Sequence, residues 1–263
     1  MSPVLRIMKY VLLDVLRNRW VIGYFVFFLL ASDVLLRLAG TGPRAMVSLI
    51  NLVLLLIPLV TIVFGTIYWH GQREFNQLLL TQPVDRPALF RGLFAGLVFP
   101  LSAAFVGGVT IPLLLHRAVG PESAGTLLLL LTAGVALTAV FGAIAVLIAG
   151  LVEDRLRGLG AALGVWLLMA VAYDGLLLWI AVSFRNHPIE QPLLLLSFAN
   201  PVDLARVLLL LHLDVAALMG ATGSVFSTAL GGSAGTAAAL GGLALWALVP
   251  GLFALRAFRR RDF

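Results

Sequence analysis

Six long apolar runs dominate the sequence, and the short segments between them carry nearly all of the charge. The runs lie near residues 20–38, 47–69, 91–115, 124–152, 159–184 and 236–255. A run of about 20 apolar residues crosses a bilayer as a helix, because lipid offers loose backbone groups no hydrogen-bond partner. The sequence therefore predicts an all-α polytopic membrane protein with six transmembrane helices, whose function lies in its loops and its few polar groups within spans.

The charged residues set the expected orientation in the membrane. Only 11% of the residues are charged, against roughly 25% in a soluble domain, so a soluble protein is excluded. Most of the 18 basic residues precede the first run, follow the last run, or lie between runs two and three and runs four and five. The positive-inside rule places these segments and both termini in the cytoplasm. The net charge of +6 then reflects orientation, and no nucleic-acid partner is expected.

Several kinds of chemistry are missing from the sequence. There is no cysteine, which excludes disulfides, thiolate metal sites and cysteine nucleophiles. Lys9 is the only lysine and its neighbours do not fit a Walker A loop, so the chain cannot be its own P-loop ATPase. The histidines lack metal-ligand spacing. We therefore expect no catalytic residue and no metal or other cofactor in this chain.

Residues 3–18 form an amphipathic segment ahead of the first run. Polar residues fall on one helical arc and apolar residues fall opposite, a pattern typical of a helix that lies in the membrane surface. Trp20 marks the corner at which the first span begins. The alternative is a plain extension of that span. The polar residues singled out here are Arg6, Lys9, Asp14 and Arg17.

A second amphipathic segment, residues 71–82, lies between runs two and three. Phe75, Leu78 and Leu79 share one face of a predicted short helix, which Pro83 ends. Arg73, Glu74 and Arg86 flank that face. An exposed apolar face needs a partner. The alternative is that the helix packs on its own bundle.

Residues 186–235 form the one long segment on the outer side. Asn200-Pro201 with Asp203 predicts a helix start, and Arg206 follows one turn later. His212 and Asp214 would lie near the centre of any seventh span, where an aspartate costs roughly 2.5–3.5 kcal/mol. We therefore expect helices at the outer surface that dip partway into the membrane at most, before a glycine-rich turn leads into the sixth span.

Two acidic residues lie within the predicted spans. Asp33 has Arg37 one turn later, which predicts a local ion pair. Asp174 lies deeper, beside Tyr173, with no basic residue near it on its helix. Ionisable groups within a membrane are functional candidates, although a hydrogen bond from a Tyr or Ser on a neighbouring helix would give Asp174 a purely structural role. Ser233 centres a Gly-x-Ser-x-Gly pattern, which is read as a flexible turn with a serine nucleophile as the alternative.

The layout resembles the permeases of ABC-2 type exporters, which have an elbow helix, six spans, a coupling helix between spans two and three, and outer helices before span six. Residues 3–18, 71–82 and 186–235 occupy those three places, and residues 1–263 then form one transmembrane domain. The segments from Lys9 to Trp20, from Arg73 to Arg86 and from Asn200 to Arg206 are similar to NosY-type permeases, which serve nitrous oxide reductase maturation.

This resemblance implies a set of partners in the bacterial inner membrane. Two copies of the chain would pair with two ATPase subunits of the NosF type, which hold ATP and magnesium and receive residues 71–82. A periplasmic partner of the NosD type would contact the outer helices at Asp203, Arg206, His212 and Asp214. The resemblance further implies that the energy of ATP hydrolysis serves the maturation of the copper site of nitrous oxide reductase. Alternatives are an ABC exporter of a lipid, drug or other small molecule, an ion-coupled secondary carrier using Asp174, and an intramembrane hydrolase using Ser233.

Overall fold

The structure is a computed structural model that describes residues 12–40, 43–72, 86–118, 120–184, 190–211 and 232–260. Its long helices are α1 (Arg19–Ala39), α2 (Pro43–Gly71), α3 (Arg86–Leu115), α4 (Pro121–Leu151), α5 (Arg155–Ser183) and α8 (Ser233–Arg260). Two short helices, α6 (Glu190–Phe198) and α7 (Pro201–Leu211), lie between α5 and α8. A short helical stretch, residues 12–16, precedes α1.

The six long helices are long and apolar enough to cross a membrane, which confirms the predicted all-α, six-span architecture. Polar caps explain where several helices begin. Asn18 Oδ1 accepts a hydrogen bond from Trp20 N at 3.0 Å, and Asp154 Oδ1 accepts one from Arg157 N at 2.7 Å. Such side chains satisfy backbone N–H groups that have no partner within the helix. The α4–α5 connection is short because Asp154 starts the next helix almost at once.

The core lies where α2, α3 and α4 cross. A Cβ at Gly134 of α4 would lie 2.3 Å from Phe105 of α3 and 2.9 Å from Ile57 of α2. Glycine at this position therefore lets the Phe105 ring fill the crossing. α1 packs mainly on α3, where Gly108 meets the backbone of α1 and the Phe28 ring contacts the Phe105 ring at 5.4 Å between centroids.

Helix α5 is the least covered of the spans. Within it, Gly158, Ala162 and Ala170 are buried, whereas large apolar side chains such as Leu178, Trp179 and Val182 are exposed. Its course is interrupted by a π-helical turn, Leu168–Ala172. In a membrane protein an apolar face of this kind contacts lipid or another chain.

Helix α7 is buried inside the bundle and not at its surface. Val202, Leu204, Ala205 and Leu208 are buried, and the helix packs against α2, α4 and α8. The helix is buried because it carries mainly apolar side chains, and packing against three spans removes them from solvent. The placement of residues 186–235 at the outer surface, dipping partway into the membrane at most, stays a prediction.

Candidate functional site

One end of the bundle, here called the basic end, gathers the 12–18 stretch, the end of α2, the start of α3, the α4–α5 connection and the end of α8. Asp14 Oδ2 accepts a hydrogen bond from Tyr68 Oη at 3.0 Å and one from Gln72 Nε2 at 3.4 Å. The sequence placed Asp14 on the headgroup side of a surface helix. The structure instead connects its carboxylate to α2, although the residue remains exposed.

The other predicted elbow residues divide between described and undescribed parts of the chain. Arg17 is exposed, and Trp20 is 74% exposed, as expected for an aromatic residue at the membrane interface. Val15 is fully buried, which fixes one side of the 12–18 stretch against the bundle. Arg6 and Lys9 lie outside the described residues.

His70 connects the end of α2 to the α4–α5 connection. Its Nδ1 lies 2.8 Å from Thr66 O and its Nε2 lies 3.0 Å from Val152 O. The ring also packs on Gly158, where an added Cβ would lie 2.8 Å from Cε1. The last turn of α2 is therefore held against both the end of α4 and the first turn of α5.

An aromatic cluster joins the ends of three further helices at the basic end. The Trp69 ring contacts the Phe90 ring of α3 at 5.9 Å and the Phe258 ring of α8 at 6.2 Å between centroids. Phe90 and Phe258 also contact each other at 5.8 Å. Such aromatic pairs add packing energy to apolar burial. Both flanks of the segment between α2 and α3 are thus fixed to the bundle.

The predicted coupling residues mostly lie between those two flanks. Arg86 begins α3 and is partly buried. The remaining residues of this prediction lie outside the described residues; they are Arg73, Glu74, Phe75, Leu78 and Leu79. The structure does describe the two helix ends between which the segment lies, the end of α2 and the start of α3.

At the opposite end of the bundle, Asp33 is bound from two sides. Its Oδ2 lies 2.7 Å from Arg37 Nε, which confirms the predicted ion pair, and its Oδ1 lies 2.7 Å from His116 Nε2. His116 comes just after α3. The sequence analysis missed this partner because the pairing depends on how α1 packs against α3.

Asp174 is paired with a charge that sequence reasoning did not find. Its Oδ2 lies 2.6 Å from Arg206 Nη1 on α7. The partner on a neighbouring helix is thus an arginine, where the sequence suggested a Tyr or Ser as one structural possibility. Arg206 also lies 3.8 Å from Asp203 Oδ1, so one guanidinium serves two carboxylates. The Asp174 and Arg206 side chains are 38% and 26% exposed.

Asp203 is almost completely buried at 6% exposure, and its Oδ2 has no hydrogen-bond partner within the described part of the chain. Burial raises the pKa of Asp203 above its ordinary value, and the Asp174 carboxylate adds to this, while the Ser197 hydrogen bond and the Arg206 charge oppose it. A side chain buried this deeply offers little surface to another protein, and the contact of Asp203 with an outer partner stays a prediction.

Four further hydrogen bonds involve the α6–α7 pair, and three of them join it to neighbouring spans. Asn200 Nδ2 donates to Met169 O at 2.6 Å in the π-helical turn of α5, and Asn200 Oδ1 accepts from Val202 N at 3.0 Å. Tyr173 Oη donates to Leu196 O at 2.6 Å. Trp246 Nε1 of α8 donates to Phe198 O at 3.0 Å. The Asn-Pro signal predicted the helix start, but not the contact with α5.

The remaining candidates have limited structural support. His212 and Asp214 lie outside the described residues. Ser233 opens α8, so the glycine-rich turn of the prediction ends there. Among the described residues, no group of His, Cys, Asp and Glu is arranged to hold a metal ion.

These features define the class: a polytopic, predominantly helical membrane protein with polar side-chain networks at both ends of its bundle. Residues 43–263 match the family described as ABC-2 family transporter protein. The chain therefore belongs to the ABC-2 family of transporter proteins.

Two relatives carry a more specific description. The chain is 30% identical over 266 residues to a probable ABC transporter permease protein NosY of Pseudomonas aeruginosa, with 95% of each chain covered. It is 29% identical over 280 residues to a protein of the same description in Stutzerimonas stutzeri, with 99% of each chain covered. The similarity thus extends over essentially the whole length of all three proteins.

Proposed function

We propose that this chain is the permease subunit of an ABC transporter and takes its energy from a separate ATPase subunit that docks on residues 71–82. One structural observation carries the proposal. The two helix ends that flank this segment both contact other parts of the bundle, α2 through His70 and Trp69 and α3 through Phe90. Because both ends of the segment are packed against the bundle, a displacement caused by a bound partner would be transmitted directly to the spans.

The sequence of the segment fits such a partner. Phe75, Leu78 and Leu79 supply an apolar face, and Arg73, Glu74 and Arg86 supply charges beside it that set orientation. ATP and magnesium would be bound by the partner, because this chain has no Walker A lysine in a fitting context. The proposal places both termini and this segment in the cytoplasm, with the chain in the bacterial inner membrane.

The specific system proposed is nitrous oxide reductase maturation, in which the partners would be a NosF-type ATPase and a NosD-type periplasmic protein. The support is the likeness to the two NosY relatives over nearly the whole chain. The chain has five methionines and no cysteine, so a path for copper ions through it has few soft ligands. A sulfur compound, another small molecule, or mechanical work on the periplasmic partner fits as well.

A second copy of the chain completes the proposed assembly. The exposed large apolar side chains of α5 offer a surface that the second copy would share with lipid. At the opposite end, α7 is ion-paired with α5 and packs against α8, so a change in the spacing of those spans would move it. That connection is how work done at the basic end would reach the outer side.

The test is co-purification of the ATPase subunit with the tagged chain. Replacing Phe75 and Leu78 together by Asp removes the apolar face and should abolish co-purification. Gln77→Asp is the matched control, since residue 77 lies opposite that face on a helix and should leave binding intact. Equal recovery of ATPase with the double variant and the control would refute docking through this face.

The structure removes one reason for the secondary-carrier alternative. That hypothesis rested on an isolated intramembrane carboxylate at Asp174, and Arg206 supplies its counter-charge at 2.6 Å. Transport by the purified chain alone in liposomes, driven by an ion gradient and abolished in Asp174→Asn, would restore that alternative.

A further inference from the structure

The backbone hydrogen bonding of α5 changes at its π-helical turn, Leu168–Ala172. In an α-helix the N–H of Tyr173 would donate to Met169 O, four residues earlier. Here Tyr173 N donates to Leu168 O instead. The π turn therefore takes from Met169 O the donor that an uninterrupted α-helix would give it. A carbonyl oxygen within a span then needs another donor, because lipid supplies none.

The amide of Asn200 supplies a donor from outside the helix. Its Nδ2 donates to Met169 O at 2.6 Å, and the residue is 1% exposed, so water does not compete freely for this bond. Its Oδ1 accepts from Val202 N at 3.0 Å and so caps α7. Both bonds need a short side chain that carries a donor and an acceptor, which an amide does. One side chain thus starts α7 and completes the π turn of α5.

The two halves of α5 are bonded to different neighbours. Before the π turn, Trp166 Nε1 donates to Leu55 O of α2 at 3.2 Å. After the turn, Tyr173 Oη donates to Leu196 O of α6 at 2.6 Å. Trp166 and Tyr173 are seven residues apart, and seven residues of uninterrupted α-helix would bring them to within about 20° of the same face.

The π turn separates the directions of these two side chains. It adds one residue to the helix, which sets the following part, Tyr173–Ser183, back by about 100°. Trp166 and Tyr173 then point about 120° apart, so that α5 can bond to α2 on one side and to α6 on another. Asp174, which pairs with Arg206 of α7 at 2.6 Å, belongs to the same reoriented part. The contacts of α5 with the α6–α7 pair therefore depend on the π turn.

We propose that α5 has two hydrogen-bonding registers and that Asn200 is the positioning residue that selects the one with the π turn. In this register Tyr173 and Asp174 hold the α6–α7 pair. When Asn200 leaves Met169 O, Tyr173 N can bond to that oxygen, the part after the turn rotates by about 100°, and the α6–α7 pair is released from α5. The use of this register change in transport rests on the function proposed above, but the register change itself does not.

A deletion tests whether the turn holds one residue more than an α-helix needs. Removing Val171, which lies in the turn and is 48% exposed, should give a continuous α-helix in which Met169 O has a backbone donor and both anchoring side chains keep their directions. Removing Leu163, which is 41% exposed in the regular part of α5, should instead turn Trp166 away from α2. In nanodiscs, the thermal midpoint of the first variant should stay near that of the parent chain and that of the second should fall well below it. Equal losses would overturn the proposal.

Asn200→Ser in both backgrounds assigns the effect to the bond with Met169 O. Serine keeps the cap on Val202 N but does not reach Met169. The substitution should lower the thermal midpoint of the parent chain, and should lower that of the Val171 deletion several-fold less, because Met169 O then has a backbone donor. Equal losses in the two backgrounds would show that Asn200 acts only as a cap and would overturn the proposal. If Asn200→Ser alone does not fold, folding of the double variant supports the proposal and failure of both overturns it.

A separate measurement tests the use of the register change in transport. The Val171 deletion keeps only the direction of α5 that holds the α6–α7 pair, so it should bind the ATPase as the parent chain does but reduce the stimulation of ATP hydrolysis several-fold. Undiminished stimulation would overturn the role in transport. If the ATPase fails to bind even the parent chain, the function proposed above fails and the role in transport with it, whereas the unfolding data still decide whether α5 has two registers.

Discussion

Asp174 on α5 and Arg206 on α7 form an ion pair of 2.6 Å that joins a transmembrane helix to a short helix buried among the spans. The same guanidinium lies 3.8 Å from Asp203 Oδ1. Arg206 therefore compensates one partly exposed carboxylate and one buried carboxylate. This difference in burial predicts which substitutions at the three positions cost more stability.

Arg206→Gln should destabilise the chain more than Asp174→Asn does. The first substitution leaves the buried Asp203 without its compensating charge, a loss of about 3 kcal/mol. The second removes a pair that is partly open to solvent, at a cost of roughly 1 kcal/mol or less. Thermal unfolding of the two variants in nanodiscs measures the order, and an Asp174→Asn chain at least as destabilised as Arg206→Gln would contradict it.

Asp203→Asn should flatten the dependence of stability on pH. The pKa of Asp203 is raised in the folded chain, chiefly by burial, so the folded state holds this proton more tightly than the unfolded state does. Stability from this group is full below the unfolded value of about 4 and is lost as pH rises through the folded value. Unfolding midpoints measured from acid to neutral pH should therefore decline less in Asp203→Asn, and an unchanged slope would refute the assignment.

Asn200→Ala should cost about 2 kcal/mol of stability. The substitution removes the cap on Val202 N, worth about 1 kcal/mol, and leaves Met169 O without its donor. Asn200→Ser is the informative comparison, because serine keeps the cap but does not reach Met169. In denaturation experiments, the free energy of unfolding of Asn200→Ser should lie between those of the parent chain and Asn200→Ala. If Asn200→Ser is as stable as the parent chain, the hydrogen bond from Asn200 to Met169 O contributes nothing to stability.

Gly134→Ala should destabilise the bundle by about 1–3 kcal/mol through overpacking. Its Cβ would lie 2.5 Å or less from two atoms of the Phe105 ring, which is itself fully buried. Gly125→Ala on the same helix meets no atom within 4 Å and serves as the control. Equal thermal midpoints for the two variants would show that the α2–α3–α4 crossing is looser than described.

The six long helices could be predicted from the sequence because hydropathy is a local property. The same holds for Asp33 with Arg37, which are one turn apart on one helix. The cap at Asn200 was also visible, since it involves neighbours in the chain. These features need no knowledge of how the spans pack.

Partners distant in sequence could not be predicted. His116 with Asp33, Arg206 with Asp174, and His70 with Val152 each join different helices, and only packing brings them together. The burial of α7 was missed for a related reason. An apolar helix that begins after a loop is compatible with the membrane surface and with the interior, and its neighbours decide between them.

The central claim is that the segment after α2 delivers the energy of a separate ATPase to this bundle. A photoreactive amino acid at position 78, with position 77 as the control on the opposite face, tests it in living cells. The account predicts a covalent adduct with a nucleotide-binding ATPase subunit from position 78 and little or none from position 77. Absence of an ATPase adduct at position 78, or labelling of that position by a reagent that cannot cross the membrane, would contradict it.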